Sequence, residues 1–257
     1  MRIWPIYKKE LRLYFTSPVA WVILTIFLAI AGLFFYAIFG NFTRVSMQMA
    51  MNPMGGRDLN VTDAVLRPLF ANLSVILLLV MPLVTMRLFA EERRSGTIEL
   101  LLTYPVRDGA VLVGKYLAAL TLYGTMIAAT LAYPAIVLWV ARANVEWGPL
   151  LTGYIGLLLM GGMFLAVGLL ASSLTENQIV AAVVTFGILL IFWIIGWTAE
   201  FATGTLGVVL THLSILEHND TFAKGVLDTK DIIYYLNFTF LALFLTLRSL
   251  ESRRWNG

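Results

Sequence analysis

The chain has 257 residues, of which 60% are hydrophobic and only 13% are charged. Soluble domains carry about 25% charged residues, so this composition excludes a soluble domain and indicates an integral membrane protein. The net charge is only +3, and the charges gather at the ends of apolar segments. A nucleic-acid-binding protein needs a continuous basic face, so nucleic acid is excluded as a partner. The sequence has no cysteine, which excludes disulfides and thiolate metal sites.

Residues 1–17 are predicted to form an amphipathic interface helix that lies on the inner membrane surface. The residues that share its apolar stripe are Ile3, Tyr7, Leu11 and Tyr14. The cations that lie away from this stripe are Lys8, Lys9 and Arg12. Glu10 falls within the stripe. Its carboxylate either reaches solvent from the stripe's edge or forms an ion pair, for which Arg93 and Arg94 are the predicted partners.

Six apolar segments approach the length of about 20 residues that a helix needs to cross a bilayer. The predicted spans are Val19–Phe39, Leu69–Leu88, Val111–Val140, Leu150–Ala171, Ile179–Thr198 and Ile232–Leu247. The third is over-long, so its first turns are expected to project into water, and Lys115 is expected to reach the headgroups. The glycines of the fourth permit close contacts within a subunit. Ion-driven carriers usually place acidic residues at the membrane midplane; the predicted spans show none, so energy for transport would come from elsewhere.

The distribution of basic residues predicts that both termini are cytoplasmic. With this orientation, twelve of the 18 lysines and arginines fall on the inner side, as the positive-inside rule requires. The two longest loops, Gly40–Pro68 and Ala199–Asp231, are then outside. The second contains an apolar stretch, Gly204–Leu216, that is too short to span. It is predicted to be a re-entrant or interfacial outer helix before the last span.

The predicted cytoplasmic loop RLFAEERRSGTIELLLTYPVRDGAVLVGKY, Arg87–Tyr116, carries the most informative motifs. Its charge cluster is formed by Glu91, Glu92, Arg93 and Arg94, which alone would be typical of a solvated flank. Gly96 is predicted to cap a short helix, Thr97–Thr103, that ends because Tyr104 precedes a proline. The other residues of this helix that carry the argument are Ile98, Leu101 and Leu102, which form an apolar face, and Glu99, which lies near free backbone N–H groups.

Two turns of helix are not stable alone in water, so this short helix predicts a docking element for a groove on another protein.

The stretch GAVLVGKY, Gly109–Tyr116, nearly matches a phosphate-binding loop. That motif requires a Ser or Thr after Gly-Lys as a magnesium ligand, and a preceding buried strand. Tyr116 occupies the hydroxyl position, and the stretch runs directly into a predicted span. We therefore expect a helix start here, and no ATP or other cofactor bound by this chain.

A different class of function, an intramembrane or metal-dependent enzyme, depends on one cluster in the outer loop. Its residues are His212, Glu217, His218 and Asp220. The His-Glu-x-x-His spacing of metalloproteases is absent. An ordinary polar loop is therefore favoured, and no catalytic or metal-binding residue is predicted.

The chain resembles the permease subunits of ABC-2-type transporters, most closely those of gliding-motility-type ABC systems. The resemblance covers essentially the whole chain. It is carried by KKELRLYFTSP, EERRSGTIELLLTYPV with VGKY following, RSLESRRW near the C-terminus, and the outer segment HLSILEHNDTFAKGVLDTKDIIYYL. It implies one ABC-2-type transmembrane domain over residues 1–257: an all-α integral membrane protein with six transmembrane helices, an N-terminal interface helix, a short cytoplasmic coupling helix and outer helices before the last span.

The resemblance also implies a function and a location. Such permeases dimerise in the cytoplasmic membrane of a prokaryote, and each copy docks a separate cytoplasmic ATPase, which binds ATP and Mg²⁺. By this resemblance, Gly96–Thr103 is the coupling helix, Glu91–Arg94 supports it, and Ile3–Phe15 is the interface helix. ATP hydrolysis would drive export of a substrate. In the alternative, the ATPase cycle moves an extracytoplasmic accessory partner and transports nothing.

Overall fold

The computed structural model describes residues 3–51, 60–97, 107–141, 145–199, 201 and 204–256. Within these ranges the chain forms helices, turns and short connections, without a strand. The helices are α1 (Ile3–Thr16), α2 (Pro18–Met51), α3 (Arg67–Thr85), α4 (Ala90–Arg94), α5 (Asp108–Thr130), α6 (Ala132–Ala141), α7 (Trp147–Leu174), α8 (Gln178–Ala199), α9 (Gly204–Leu213), α10 (Ile215–Ala223) and α11 (Thr229–Asn256).

The six predicted spans are confirmed as helices that are long and apolar enough to cross a membrane. Their bounds in the structure are Pro18–Met51, Thr62–Arg94, Asp108–Val140, Trp147–Leu174, Gln178–Thr198 and Thr229–Ser252, called spans one to six below. Span one is longer than predicted, because α2 continues from Gly40 to Met51 into the predicted outer loop. Span three is divided at Leu131, since Pro134 has no N–H to donate to the carbonyl four residues earlier. A π-helical turn, Thr62–Leu66, precedes α3.

Span four forms the centre of the bundle, because its glycines let neighbouring side chains reach its backbone. A Cβ added at Gly156 would lie 2.7 Å from Phe222 Cβ, and one added at Gly161 or Gly168 would overlap the side chain of Tyr123 or Thr85. The prediction that these glycines permit close contact within the subunit is confirmed. Their positions fix how closely spans two and three approach span four.

The interface helix α1 is joined to span one by a sharp elbow at Ser17. Pro18 occupies the first position of α2, where its missing N–H costs nothing. The Trp21 indole donates to the Phe15 carbonyl oxygen at 2.9 Å across the elbow. The predicted amphipathic pattern is confirmed: the stripe residues of α1 face the bundle, while Lys8, Lys9 and Arg12 are exposed.

Two helices, α9 and α10, occupy the predicted outer segment before span six. The carbonyl oxygens of Leu213 and Ile215 accept hydrogen bonds from Tyr234 and Tyr235 of span six. The Ser214 side chain caps α10 by accepting from the Glu217 N–H. An apolar helix before the last span is therefore confirmed, and it is followed by a second, more polar helix.

Candidate functional site

Lys115 is the centre of a buried ionic cluster where α1, α4 and the start of span three meet. Its Nζ donates to Glu10 Oε1 at 3.0 Å and to Glu92 Oε1 at 2.8 Å. The residue is only 1% exposed, and its ammonium lies 5.3 Å from the centroid of the Phe89 ring. A single cation thus joins three segments that are far apart in sequence. We call Glu10, Glu92 and Lys115 the bridge.

The bridge corrects two predictions. Glu10 does form ion pairs, but its partners are Lys115 at 3.0 Å and Lys9 at 3.8 Å, so the prediction of Arg93 or Arg94 as its partner is wrong. Lys115 does not reach the headgroups, because α1 covers the first turns of span three. Those turns are therefore packed against protein rather than projecting into water, and Asp108, Val111 and Lys115 are all buried.

The stripe of α1 packs on spans two and three through specific contacts. A Cβ added at Gly114 would lie 2.8 Å from Ile6 Cγ2, so only glycine lets α1 approach this closely. Tyr7 and Thr121 share a hydroxyl–hydroxyl hydrogen bond of 3.0 Å, and Tyr14 donates to the Val84 carbonyl oxygen at 3.3 Å. Burial raises the pKa of the Tyr14 hydroxyl well above its usual value, and the Glu10 charge raises it further. Tyr14 is therefore a neutral donor at every physiological pH. The remaining stripe residues, Ile3 and Leu11, are half-buried.

The charge cluster at the end of span two is anchored to span four as well as to Lys115. The backbone N–H groups of Phe89 and Ala90 both donate to Ser172 Oγ at 3.0 Å, and this hydroxyl donates to the Met86 carbonyl oxygen at 3.1 Å. The guanidinium of Arg93 donates to the Ser173 carbonyl oxygen. Arg93 is buried, whereas Arg94 is exposed. In this cluster, Glu92 and Arg93 tie α4 to two different spans.

The remaining charges of the cluster stay near the surface. Arg87 pairs with Glu91 at 3.0 Å, one helical turn apart. Surface pairs of this kind contribute little to stability. The buried Arg93 also lies 3.8 Å from the exposed Glu176, in the connection between spans four and five. The solvated-flank interpretation therefore fits Glu91 and Arg94, but not Glu92 and Arg93.

Gly96 ends α4 rather than capping the following helix. Its φ is +69°, in the left-handed region that glycine adopts just after a helix C-terminus, whereas an N-cap residue is extended. Its N–H donates to the Arg93 carbonyl oxygen at 3.2 Å. Thr97 is helical, as predicted. The predicted apolar face of Ile98, Leu101 and Leu102, together with Glu99, lies outside the described residues.

The near-match to a phosphate loop forms part of a continuous helix. Residues 109–116 lie within α5, so their backbone N–H groups are used inside the helix and do not converge on a common point. Gly114 is needed for the approach of α1, and Lys115 holds two carboxylates. The structure thus accounts for both residues by packing and charge pairing within the chain.

The four residues of the proposed outer metal cluster separate into different networks. Asp220 pairs with Arg67 and Lys224. His218 is buried, with Nε2 3.1 Å from the His212 carbonyl oxygen and Nδ1 2.5 Å from Asp231 Oδ1. Among the described residues, no group of three potential ligands is placed to hold a metal ion.

Both ring nitrogens of His218 have a hydrogen-bond partner. Nε2 faces a carbonyl oxygen, which only accepts, and Nδ1 faces the Asp231 carboxylate. Asp231 is fully buried, and sequence reasoning missed it because the predicted sixth span began one residue later.

Sequence reasoning also missed Lys115, Ser172 and Ser173 as members of the site. A usable signal existed for Lys115. Glu10 is an isolated anion in an apolar stripe, and Lys115 is an isolated cation in an apolar helix. Because buried charges are usually paired, an isolated anion and an isolated cation in two apolar segments indicate that the two side chains are in contact. The two serines carried no comparable signal, since small hydroxyl residues are common in membrane helices.

The chain was compared with known protein families and with curated proteins. The family model described as "ABC-2 family transporter protein" matches residues 4–250. No curated protein matches the chain significantly. The family match spans nearly the whole chain and agrees with six apolar helices of spanning length. This multi-pass membrane protein therefore belongs to the ABC-2 family of transporter proteins and is an ABC-2-type permease, the membrane component of an ABC transporter.

Proposed function

We propose that this permease couples ATP hydrolysis by a separate cytoplasmic ATPase to export of a substrate across the cytoplasmic membrane of a prokaryote, with both termini inside. The observation that carries the proposal is the bridge. It holds α1, α4 and span three together, while Arg93 and Ser172 join α4 to span four. A force applied to α1 and α4 would therefore reach the two spans together.

The ATPase is proposed to dock on the segment that follows α4. The family match supports an ABC ATPase as the partner. The apolar residues after Thr97 are the predicted contact. In this arrangement the chain itself is not the catalyst, and ATP and Mg²⁺ are bound by the docked subunit.

Co-purification with the ATPase tests this proposal. The chain is expressed with its genomic neighbours, isolated in detergent and assayed for ATP hydrolysis. Replacing Ile98 and Leu101 with Asp should abolish co-purification while the permease still inserts into the membrane. A matched control, Leu227→Asp, alters an exposed apolar residue in the connection before span six and should retain the ATPase. Equal ATPase recovery in both variants would remove the docking-helix hypothesis.

A second copy of the chain is the other proposed partner. Span five supports this, because only 22% of its apolar window is buried within the chain. Val183, Ile191 and Ile194 are exposed on it. A cysteine at Val183, in a chain that has no other, should cross-link two copies in native membranes. Monomer alone, with efficient labelling of the same cysteine, would exclude span five from the dimer seam.

A second candidate function is transmission of motion to an extracytoplasmic partner. The length of α2 favours it: 34 residues extend for about 51 Å at about 1.5 Å per residue, beyond a hydrocarbon core of about 30 Å. Met47 and Met51, near its end, are strongly exposed. Shortening α2 by two turns should then abolish the cellular function while leaving ATP hydrolysis by the complex unchanged. Retained function in the shortened variant would favour export.

A further inference from the structure

A cavity of about 670 Å³ lies at the end of the bundle opposite the bridge, and we call it the tryptophan cavity. Its volume is in the range of small-molecule sites. Span two, span five and α10 form most of its wall. The side chains that carry the argument are Asp63 and Arg67 at the start of span two, Trp193 and Trp197 near the end of span five, and Glu217, Asn219 and Asp220 on α10. The proposed function uses none of these residues.

The charges that line the tryptophan cavity are mostly negative. Its described lining holds three carboxylates and a single cation, Arg67. Arg67 donates from Nε and Nη2 to Asp220 Oδ1, at 3.2 and 2.7 Å, so these two residues satisfy each other. Asp63 and Glu217 are exposed, and neither forms an ion pair within the described part of the chain. Lys230, which feels the Glu217 charge, is paired with a different carboxylate. Two accessible negative charges therefore line the cavity without an ion-pair partner of their own.

Asn219 adds a buried hydrogen-bond acceptor to these charges. The residue is only 6% exposed, and its Nδ2 donates to Ser74 Oγ at 2.9 Å. Among the described residues, no group donates to Asn219 Oδ1. This oxygen is nevertheless reachable, since the fully enclosed side-chain atoms without a partner lie on Glu92 and Asp231 instead. An unsatisfied buried acceptor costs free energy. Because Asn219 lines the cavity, a donor bound there would satisfy its oxygen.

Two indole rings supply the apolar part of the cavity wall. Trp193 is buried, Trp197 is 58% exposed, and both line the cavity. Indole is the aromatic ring that attracts cations most strongly. In the part of the chain that the structure describes, the cations that lie over aromatic rings are on Phe89 and Phe244. Neither indole is therefore occupied by a cation of this chain.

We propose that the tryptophan cavity binds an organic cation that carries N–H groups, a primary or secondary amine with an apolar body. Its ammonium would donate to Asn219 Oδ1 and be attracted by Asp63 and Glu217, and its body would pack on Trp193 and Trp197. The two free carboxylates repel anions, and a neutral alcohol gains little from the charges or from the indole rings. Among the described residues, no three potential ligands are gathered to hold a metal ion. This binding goes beyond the proposed function and does not depend on it.

Equilibrium dialysis of labelled phenethylammonium against the full chain in an uncharged detergent tests the proposal, with uptake by empty micelles subtracted. This probe is a primary amine with one aromatic ring. We expect saturable binding that is about tenfold tighter than that of phenethyl alcohol, equivalent to about 1.4 kcal/mol. Phenylpropionate, an anion of similar size, and the trimethylated amine, which has no N–H, should also compete poorly. Absence of saturable binding, or competition by any of these three analogues as strong as that of the unlabelled amine, would overturn the proposal.

Variants at exposed positions locate the site without disturbing the core. Asp63→Asn combined with Glu217→Gln removes both free charges, so the preference for the amine over the alcohol should fall to about onefold to twofold. Trp197→Leu should weaken binding of the amine by about threefold, because it removes one cation–π contact. Glu251→Gln, a matched change near the C-terminal end of α11, should bind the amine as the parent does. A Tm equal to that of the parent shows that each variant is folded, and an undiminished preference in the double variant would refute the assignment.

Discussion

Removal of the bridging cation, by Lys115→Met, is the most direct perturbation of the site. The ammonium lies 3.0 and 2.8 Å from two carboxylate oxygens, and each attraction is on the order of 5 kcal/mol at an effective dielectric constant of about 20. Desolvation of three buried charges offsets most of this gain. The change leaves two carboxylates whose remaining cation is the largely exposed Lys9, at 3.8 and 3.9 Å, and loss of one partner from a buried pair costs about 3–5 kcal/mol. We expect destabilisation of that size.

Thermal unfolding of the purified chain in detergent measures this effect. For a chain of this length, Tm falls by about 2–4 °C for each kcal/mol of destabilisation, so we expect a fall in Tm on the order of 10 °C. Adding Glu10→Gln to Lys115→Met removes one orphaned charge and should restore part of the loss, a coupling that a double-mutant cycle isolates. Lys230→Met, at an exposed lysine, should leave Tm unchanged. A fall of less than about 2 °C for Lys115→Met would refute the reasoning that the bridge stabilises the fold.

Three further outcomes are expected. Gly168→Val should lower Tm strongly, because a Cβ there overlaps the Thr85 side chain and overpacked cores typically lose about 1–3 kcal/mol or more. Asp220→Asn should destabilise the chain at neutral pH but much less below about pH 4. Burial raises the pKa of Asp220, yet hydrogen bonds from its two cations outweigh burial and hold the pKa below its usual value. The stabilisation by the Asp220 carboxylate is therefore present above the unfolded-state pKa and is lost as pH falls. A single cysteine at Glu176 should react with membrane-impermeant maleimide only from the cytoplasm, and one at Asp228 only from outside.

Each of these outcomes has a control or a result that would contradict it. Gly187→Val places a side chain where no atom lies within 4 Å of the added Cβ, so it should be tolerated; equal losses at both glycines would refute the packing argument. A stability difference for Asp220→Asn that is constant between pH 7 and about pH 3 would mean that the charge contributes nothing. Labelling of the Asp228 cysteine from the cytoplasm would reverse the orientation of all six spans.

Much of the fold was predictable because a bilayer imposes a simple requirement on sequence. A spanning helix must be apolar over about 20 residues, so all six spans were recognisable by length and composition. The stripe of α1 followed from helical periodicity in the same way, since one face of a surface helix must be apolar. The bounds were less accurate where the pattern is ambiguous. The Gly40–Met51 extension is polar enough to resemble a loop, yet it continues α2.

The candidate site was only half predictable. Periodicity placed Glu10 on the buried side of α1, and the motif placed Glu91–Arg94 after the predicted second span. Neither signal could show which of these charges would form pairs. Arg93 turns toward Ser173 and Glu92 toward Lys115, because successive residues on a helix point in different directions and the packing of α4 selects the partners. The conformation of Gly96 was likewise hidden, since glycine is compatible with both ends of a helix.

The sequence by itself determined that the chain has six apolar helices of spanning length, that its first helix is amphipathic, and that a charge cluster lies at the end of span two. These features depend on local composition and period, which each segment carries alone. Only the tertiary structure decided that Glu10, Glu92 and Lys115 form one cluster. The two contacts join residues that are 105 and 23 positions apart in the sequence. Residues so far apart are brought together by the packing of whole helices rather than by any local preference.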